Sequence, residues 1–173
     1  MMKPYVRGKS IFLREVAVDD AEFIVDLRTN PEKSKHLSVT SNDVDKQRNF
    51  ISSYLNSQTD FYFLICDWKW ERLGTIRIYD IHDDSFCWGS WILSNDAPKT
   101  AAIESALLIY DFAFYALHYS KSHFDVRKQN ERVVDFHERF GASVVGEDDL
   151  NYYFQYDRDS YACARQKYRR YLP

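Results

Sequence analysis

The segment Asn130-Glu-Arg-Val-Val-Asp-Phe-His-Glu-Arg-Phe-Gly-Ala142 constrains the fold of this 173-residue chain more tightly than any other stretch. A strand-like run, Ser122-His-Phe-Asp-Val126, precedes it, and another, Ala142-Ser-Val-Val145, follows. Val133, Phe136, His137 and Phe140 recur at helical spacing and so share one face. Asn130 is placed to cap the first turn, and Gly141 supplies the left-handed residue on which helices commonly end. The expectation is a short amphipathic helix between two strands, with a titratable ring on its inward face.

Ser10-Ile-Phe-Leu-Arg-Glu-Val16 alternates as a strand does, and Asp19 or Asp20 then caps a helix whose apolar face is Phe23, Ile24 and Leu27. Asn30-Pro31 ends it. A second helix begins between Ser41 and Asp43, with Val44, Gln47, Ile51, Tyr54 and Leu55 on one side, and stops in the polar Asn56-Ser-Gln-Thr-Asp60. Phe61–Cys66, Leu73–Tyr79 and Phe86–Leu93 read as three strands joined by short turns, which favours consecutive antiparallel pairing. The longest helical signal runs from about Pro98 to Leu117, with Ala102, Ser105, Ile109, Phe112, Ala113 and Ala116 as its buried stripe and Pro98 in the first turn. Strands at 122–126, 142–146 and 151–156 flank and follow the Asn130 helix. The predicted order is β-α-α-β-β-β-α-β-α-β-β.

Nothing along the chain marks a linker or repeat, so residues 1–173 read as a single domain, and 45% hydrophobic residues suffice for one core. Aromatic residues reach 17%, more than an average core needs, and leave rings to line a cleft or a contact between two copies of the chain. The formal charge of −3 gives no basic surface, which argues against nucleic acid as a partner. Arg165-Gln-Lys-Tyr-Arg-Arg170 is a local exception that reads as a solvated terminal helix. Cys66, Cys87 and Cys163 are widely spaced and form no CxxC pair, which argues against a disulfide framework and against a zinc site. No apolar run has the length of a membrane span or a leader, so a cytoplasmic protein without membrane partners is expected.

From about Lys9 to Tyr156 this α+β order, with its mixed sheet, resembles the GNAT acyl-CoA N-acyltransferase fold. In that family an Asn-started helix closing in a Lys/Arg-x-Gly-Phe/Ala pattern lies beside acetyl-coenzyme A, and Arg139-Phe-Gly-Ala142 takes the closing role here. Ile11-Phe-Leu-Arg-Glu, Asp20-Ala-Glu-Phe-Ile and Leu73-Gly-Thr-Ile-Arg-Ile are similar to the branch holding ribosomal-protein N-terminal and nucleotide-amino-sugar acetyltransferases.

The resemblance implies acetyl-CoA as cosubstrate, no metal, and a pantetheine arm laid along the strand Trp88-Gly-Ser-Trp91, so that Trp91, Ile92 and Leu93 become cofactor contacts. Gly89 stands where a bulge or a close backbone approach is wanted. The family's phosphate loop, Gln/Arg-x-x-Gly-x-Gly/Ala, falls on Ala97-Pro-Lys-Thr-Ala-Ala102, and only Ala102 matches. Backbone N–H groups near Lys99, Thr100, Ala101 and Ala102, at the positive end of a helix, still suit a pyrophosphate, and Asn130 completes the expected cofactor set.

Acyl transfer needs a deprotonated amine, a stabilised oxyanion and a proton for the departing thiolate. Many relatives carry a Tyr seven residues after the Asn as the acid; His137 occupies that position, and an imidazole donates near neutral pH. Phe86 and Cys87 stand where some relatives have a Glu base, which leaves Asp84 or His82 acting through water, with Asp80 a further candidate. Glu104 is explained by helix packing or pairing. The expected acceptor is the primary amine of a small molecule or nucleotide-linked sugar, selected by residues 29–45 and the loop after 146. A protein N-terminus or lysine, or a GNAT-fold protein that only binds acyl-CoA, are the alternatives.

Overall fold

The computed structural model describes residues 5–35, 42–57 and 59–173. Ser41 and Gln58, at the expected start and stop of the second helix, lie outside them, as does His36. Among the described residues eight strands form one sheet: β1 (Val6–Arg7), β2 (Ile11–Glu15), β3 (Phe61–Asp67), β4 (Arg72–His82), β5 (Ser85–Leu93), β6 (Lys121–Arg127), β7 (Ser143–Glu147) and β8 (Asn151–Asp157), in the spatial order β1-β2-β3-β4-β5-β6-β8-β7. Every neighbouring pair is antiparallel except β5 and β6. The expected element order is present, with β1, two further α-helices and two short 3-10 turns added around it.

Strand periodicity divides the core. In β2, Phe12 faces α1 (Ala21–Thr29) and α3 (Val44–Ser57), packing with Ile24, Ile51, Tyr62 and Leu64. Ile11 and Leu13 face the opposite way, into a larger cluster shared with α4 (Ala101–Asp111) and α5 (Glu131–Phe140). Burial on both faces is why Phe61–Cys66 is a continuous apolar run.

Several helix boundaries differ from expectation for identifiable reasons. Asp20 does not cap α1: its carboxylate turns back to the Arg14 guanidinium, at 2.8 Å to both nitrogens, and accepts the Ala17 N–H at 2.8 Å. Asp43 does cap α3, accepting the N–H groups of Asp45 and Lys46 at 3.0 and 3.2 Å. Asn30 both ends α1 and caps the short α2 (Pro31–Ser34), accepting the Glu32 N–H at 3.0 Å. Pro98 stands in the turn before α4, its carbonyl taking the Ala101 N–H at 2.9 Å, so the helix starts later than its Pro suggested. It ends in a π-helical turn over Phe112–Ala116, where the Leu117 N–H returns to the Phe112 carbonyl at 2.9 Å. The basic tail begins inside α6 (Arg158–Lys167), which Asp157 caps through the Ser160 N–H at 2.7 Å. Glu104 is buried in α4 because its carboxylate accepts the N–H groups of Ser10 and Ile11 at 2.7 and 3.2 Å, together with the Ser10 hydroxyl. No helix among the described residues is long and apolar enough to cross a membrane.

Candidate active-site cleft

β5 and β6 pair only through Ser85 with Lys121 and Phe86 with Ser122, after which the two strands part. Their separation opens a gap in the middle of the sheet, and α5 lies against it. On its other side β5 is irregular: Thr75 pairs with Ile92 but Arg77 with Gly89, so β5 carries one extra residue. The bulge centres on Ser90, at φ 46°, and the Thr75 hydroxyl holds it by donating to the Ser90 carbonyl at 2.7 Å. Gly89 serves close approach instead, since a Cβ there would meet the Tyr79 hydroxyl at 2.8 Å.

Among the described residues, two lobes open from the gap. One, of about 390 Å³, is lined by Arg28, Tyr79, Ser90, Asp125, Arg127 and His137, among others. The second, of about 490 Å³, is lined by Ile92, Leu93, Ala102, Arg132, Phe136 and Arg139, among others, and both lobes share Trp91, Asn130 and Val133. Of the expected cofactor contacts, Trp91, Ile92, Leu93, Ala102 and Asn130 therefore come together. Trp91 is fixed there by its indole N–H, which donates to Ser105 Oγ at 3.1 Å.

Lys99 and Thr100 sit exposed on the turn leading into α4 and do not line the lobe. Ala101 is fully buried, and its N–H is taken by the Pro98 carbonyl. Among the described residues the N–H groups of Ala102 and Ile103 have no acceptor, and they begin the helix with its positive end free. Asn130 does not cap α5 with its side chain; its backbone carbonyl takes the N–H groups of Val133 and Val134, both at 3.0 Å. Arg132 and Arg139 are cationic contributions that the sequence reading missed. Their spacing of two helical turns was the available signal.

α5 ends as expected at Gly141, with φ 106°, and His137 faces inward. Only 5% of His137 is exposed. Its ring is enclosed by Phe124 at 4.4 Å between centroids, Trp88 at 5.5 Å, Phe136 at 5.6 Å and Phe154 at 5.7 Å. Nδ1 is buried with no partner among the described residues. Burial lowers the imidazole pKa to about 3, because the cage offers the charged form no compensation. The expectation of an imidazole that donates near neutral pH is corrected accordingly: at neutral pH the ring is uncharged, and what it offers is an N–H hydrogen bond.

The expected base candidates lie elsewhere. Asp84, at the β4–β5 turn, accepts the Ser120 hydroxyl, a bond that holds its carboxyl below the usual carboxylate range. His82 Nε2 lies 2.6 Å from Asp80 Oδ1, and neither residue lines the lobes. The carboxylate that lines the lobe around Tyr79 is Asp125. Strand parity was the missed signal, because Ser122, Phe124 and Val126 are buried and Asp125 must point to the opposite, open face. The Cys87 thiol, donated toward the Trp88 carbonyl at 3.8 Å, is pushed up to about 12 by burial and is no nucleophile.

Residues 10–143 match a family model described as the acetyltransferase (GNAT) domain. A solved structure described as apo FdhC, a nucleotide-linked sugar GNAT, is 38% identical, with 97% of this chain and 98% of that chain covered and a TM-score of 0.89. Spermidine N-acetyltransferase from Vibrio cholerae, solved with CoA and spermine, is 17% identical, with 88% of this chain and 98% of that chain covered and a TM-score of 0.80. An acetyltransferase of the GNAT family from Bacillus anthracis is 14% identical, with 92% of this chain and 99% of that chain covered and a TM-score of 0.76. The last two likenesses speak to the fold alone. A comparison with curated proteins found no match.

Proposed function

Since the chain belongs to the GNAT acetyltransferase family, we propose that it moves an acetyl group from acetyl-CoA to the primary amine of a nucleotide-linked amino sugar. The observation that carries this reading is the composition of the lobe around Tyr79, which combines Arg28 and Arg127 with the carboxylate of Asp125. Guanidinium groups suit the diphosphate of an activated sugar, and a carboxylate suits an ammonium. A polyamine such as the spermine in the Vibrio cholerae structure carries several positive charges, which two arginines disfavour.

In this reading the lobe bounded by Leu93, Ala102 and Arg139 takes the coenzyme. The free N–H groups at the start of α4 and the two arginines of α5 meet its phosphates, and the pantetheine follows β5 past Trp91. Asp125 takes a proton from the incoming ammonium, a role it fills better than Asp84 or His82 because it alone of the three lines the cleft. The amine nitrogen then attacks the thioester carbon. The new C–N bond forms as the carbonyl oxygen gains charge beside the bulged β5 backbone, where the ladder to β4 is interrupted. The C–S bond breaks, and the uncharged His137 ring stabilises the departing sulfur by an N–H hydrogen bond while the proton reaches it from solvent or from the protonated nitrogen of the tetrahedral adduct, which is left as the amide. A reducing cytoplasmic compartment fits the exposed free thiol of Cys163.

Thiol release from acetyl-CoA, measured across amino-sugar nucleotides, free amino sugars, spermine and peptides, tests the proposal. Turnover with an amino-sugar nucleotide and markedly less with the free sugar supports it. Turnover confined to spermine or peptides overturns the acceptor class, and coenzyme binding without turnover on any amine makes the chain an acyl-CoA-binding protein instead.

A further inference from the structure

Beyond the cleft, at the closed end where β5 and β6 still pair, Asp80 and His82 from β4 and His123 from β6 converge so that their ligand atoms all lie within 4.8 Å of one another. The Asp80 carboxylate sits between two imidazoles, with Oδ1 2.6 Å from His82 Nε2 and Oδ2 3.1 Å from His123 Nε2. The two rings stack at 5.5 Å between centroids and 26° between planes, so both present their Nε2 edges to the same carboxylate. The backbone makes a concession to bring them there. Asp80 and Asp83 adopt φ of 50° and 51°, a region that costs a non-glycine residue energy, and the β4–β5 register slips between Tyr79 and His82.

The far side of His123 carries a second, independent feature. Its Nδ1 lies 2.6 Å from Ser85 Oγ, a hydroxyl able to accept the Nδ1–H and so leave the Nε2 lone pair directed at Asp80. A ligating histidine typically has its other ring nitrogen held this way. Two imidazoles and one carboxylate suit a zinc-class cation and not magnesium or calcium, which prefer all-oxygen sets. Asp80 and His82 are half or more exposed, leaving solvent to complete the coordination.

We propose that Asp80, His82 and His123 bind one divalent cation of the zinc class, with water filling the remaining positions. The bound cation joins β4 to β6 across Ser85 of β5, and so pins the vertex from which the cleft opens. Sequence spacing could not reveal it, because the set is an Asp-x-His pair plus one histidine from a distant strand. The proposal stands apart from the acetyl-transfer reading, since it needs neither coenzyme nor amine.

The test is titration of the metal-free, tag-free full chain with Zn²⁺ against a chromophoric chelator, with Co²⁺ absorption as a second readout. One equivalent is expected to bind and to raise the thermal midpoint. His82→Ala and His123→Ala each lower affinity at least tenfold and abolish the Co²⁺ spectrum, while Ser85→Ala lowers affinity about tenfold, as loss of a ligand-orienting hydrogen bond does. Cys163→Ser, which removes the exposed thiol, leaves binding unchanged. Circular dichroism checks that each variant is folded, and the exposed position of His82 makes its substitution the mildest. Stoichiometric binding that survives His82→Ala and His123→Ala overturns the assignment, as does wild-type binding no tighter than that of the double variant.

Discussion

The imidazole of His137 lies 4.4 Å from the ring of Phe124, centroid to centroid, joining α5 to β6 at a point where β6 has already left β5. An uncharged ring fits that contact and a charged one does not, which gives the fold a pH dependence. The folded-state pKa of about 3 lies below the ordinary histidine value of 6.5, so in the interval between them the unfolded chain binds a proton that the folded chain refuses. Stability from this group is therefore complete above pH 6.5 and is lost as pH falls toward 3, with a limiting slope of about 1.4 kcal/mol per pH unit. Denaturant unfolding from pH 7 to pH 4 should show this component in the wild type and lack it in His137→Phe. Parallel profiles would mean that the ring is protonated in the folded state.

The same substitution separates two catalytic roles. If His137 contributes a hydrogen bond to the departing sulfur, His137→Phe should lower kcat by about 10- to 100-fold, the worth of one hydrogen bond to a charged group. Coenzyme affinity should change little, because Phe replaces the ring within the same aromatic cage. A loss beyond a thousandfold would indicate full proton transfer and a histidine pKa raised by bound substrate.

Ala102 tests the phosphate-binding end of α4. Its N–H is among those left without an acceptor, and its side chain lines the cofactor lobe. Ala102→Glu keeps helix propensity but sets a negative charge where the pyrophosphate is expected, and should weaken CoA binding about tenfold or more by calorimetry. The effect should shrink as salt is raised. Undiminished affinity would move the phosphates away from this helix.

The strands and their order were legible because alternation and turn residues encode them locally. The Asn130 to Gly141 helix was legible because its last residue must be left-handed. Asp20 was misread because a carboxylate before a helix usually caps it, and nothing local revealed that buried Arg14 competes for it. Pro98 was misread likewise, since its carbonyl closes a turn before the helix begins. In the cleft, Asp125 was hidden until strand parity was applied, and His123 joins Asp80 only through the pairing of β6 beside β5. Contacts between distant strands set these positions, and no window of sequence contains them.

Arg14 and Asp20 form an ion pair whose side chains are 6% and 3% exposed, with Arg72 a further 3.4 Å contact to the same carboxylate. Removing one partner strands the other charge in the core, so Asp20→Ala should cost about 3–5 kcal/mol in urea unfolding. The pair Arg14→Met with Asp20→Leu should recover most of it, because the burial penalty of both charges disappears together. A single-variant loss below about 1 kcal/mol would mean that water reaches the guanidinium.

Asp125 carries the most specific claim about the chemistry. An amine arrives as an ammonium at neutral pH and cannot attack until its proton leaves, and Asp125 is the carboxylate that lines the lobe with Tyr79 and Ser90. An amide in its place keeps shape and some hydrogen bonding but accepts no proton. Asp125→Asn should therefore lower kcat/KM by about 10²- to 10⁴-fold while acetyl-CoA affinity stays within twofold, and Asp125→Glu should recover part of the rate. A purely structural role would depress all acceptors alike. A base makes a different signature: the deficit shrinks for acceptors of lower amine pKa, because more of each is already uncharged, and it shrinks as pH is raised. Asp84→Asn provides the contrast, since that carboxylate is held by Ser120 outside the lobes and its loss should alter the rate less than threefold. Equal deficits in the two variants, or a deficit in Asp125→Asn that ignores both pH and amine basicity, would remove Asp125 from the proton path and return the search to the turn before β5.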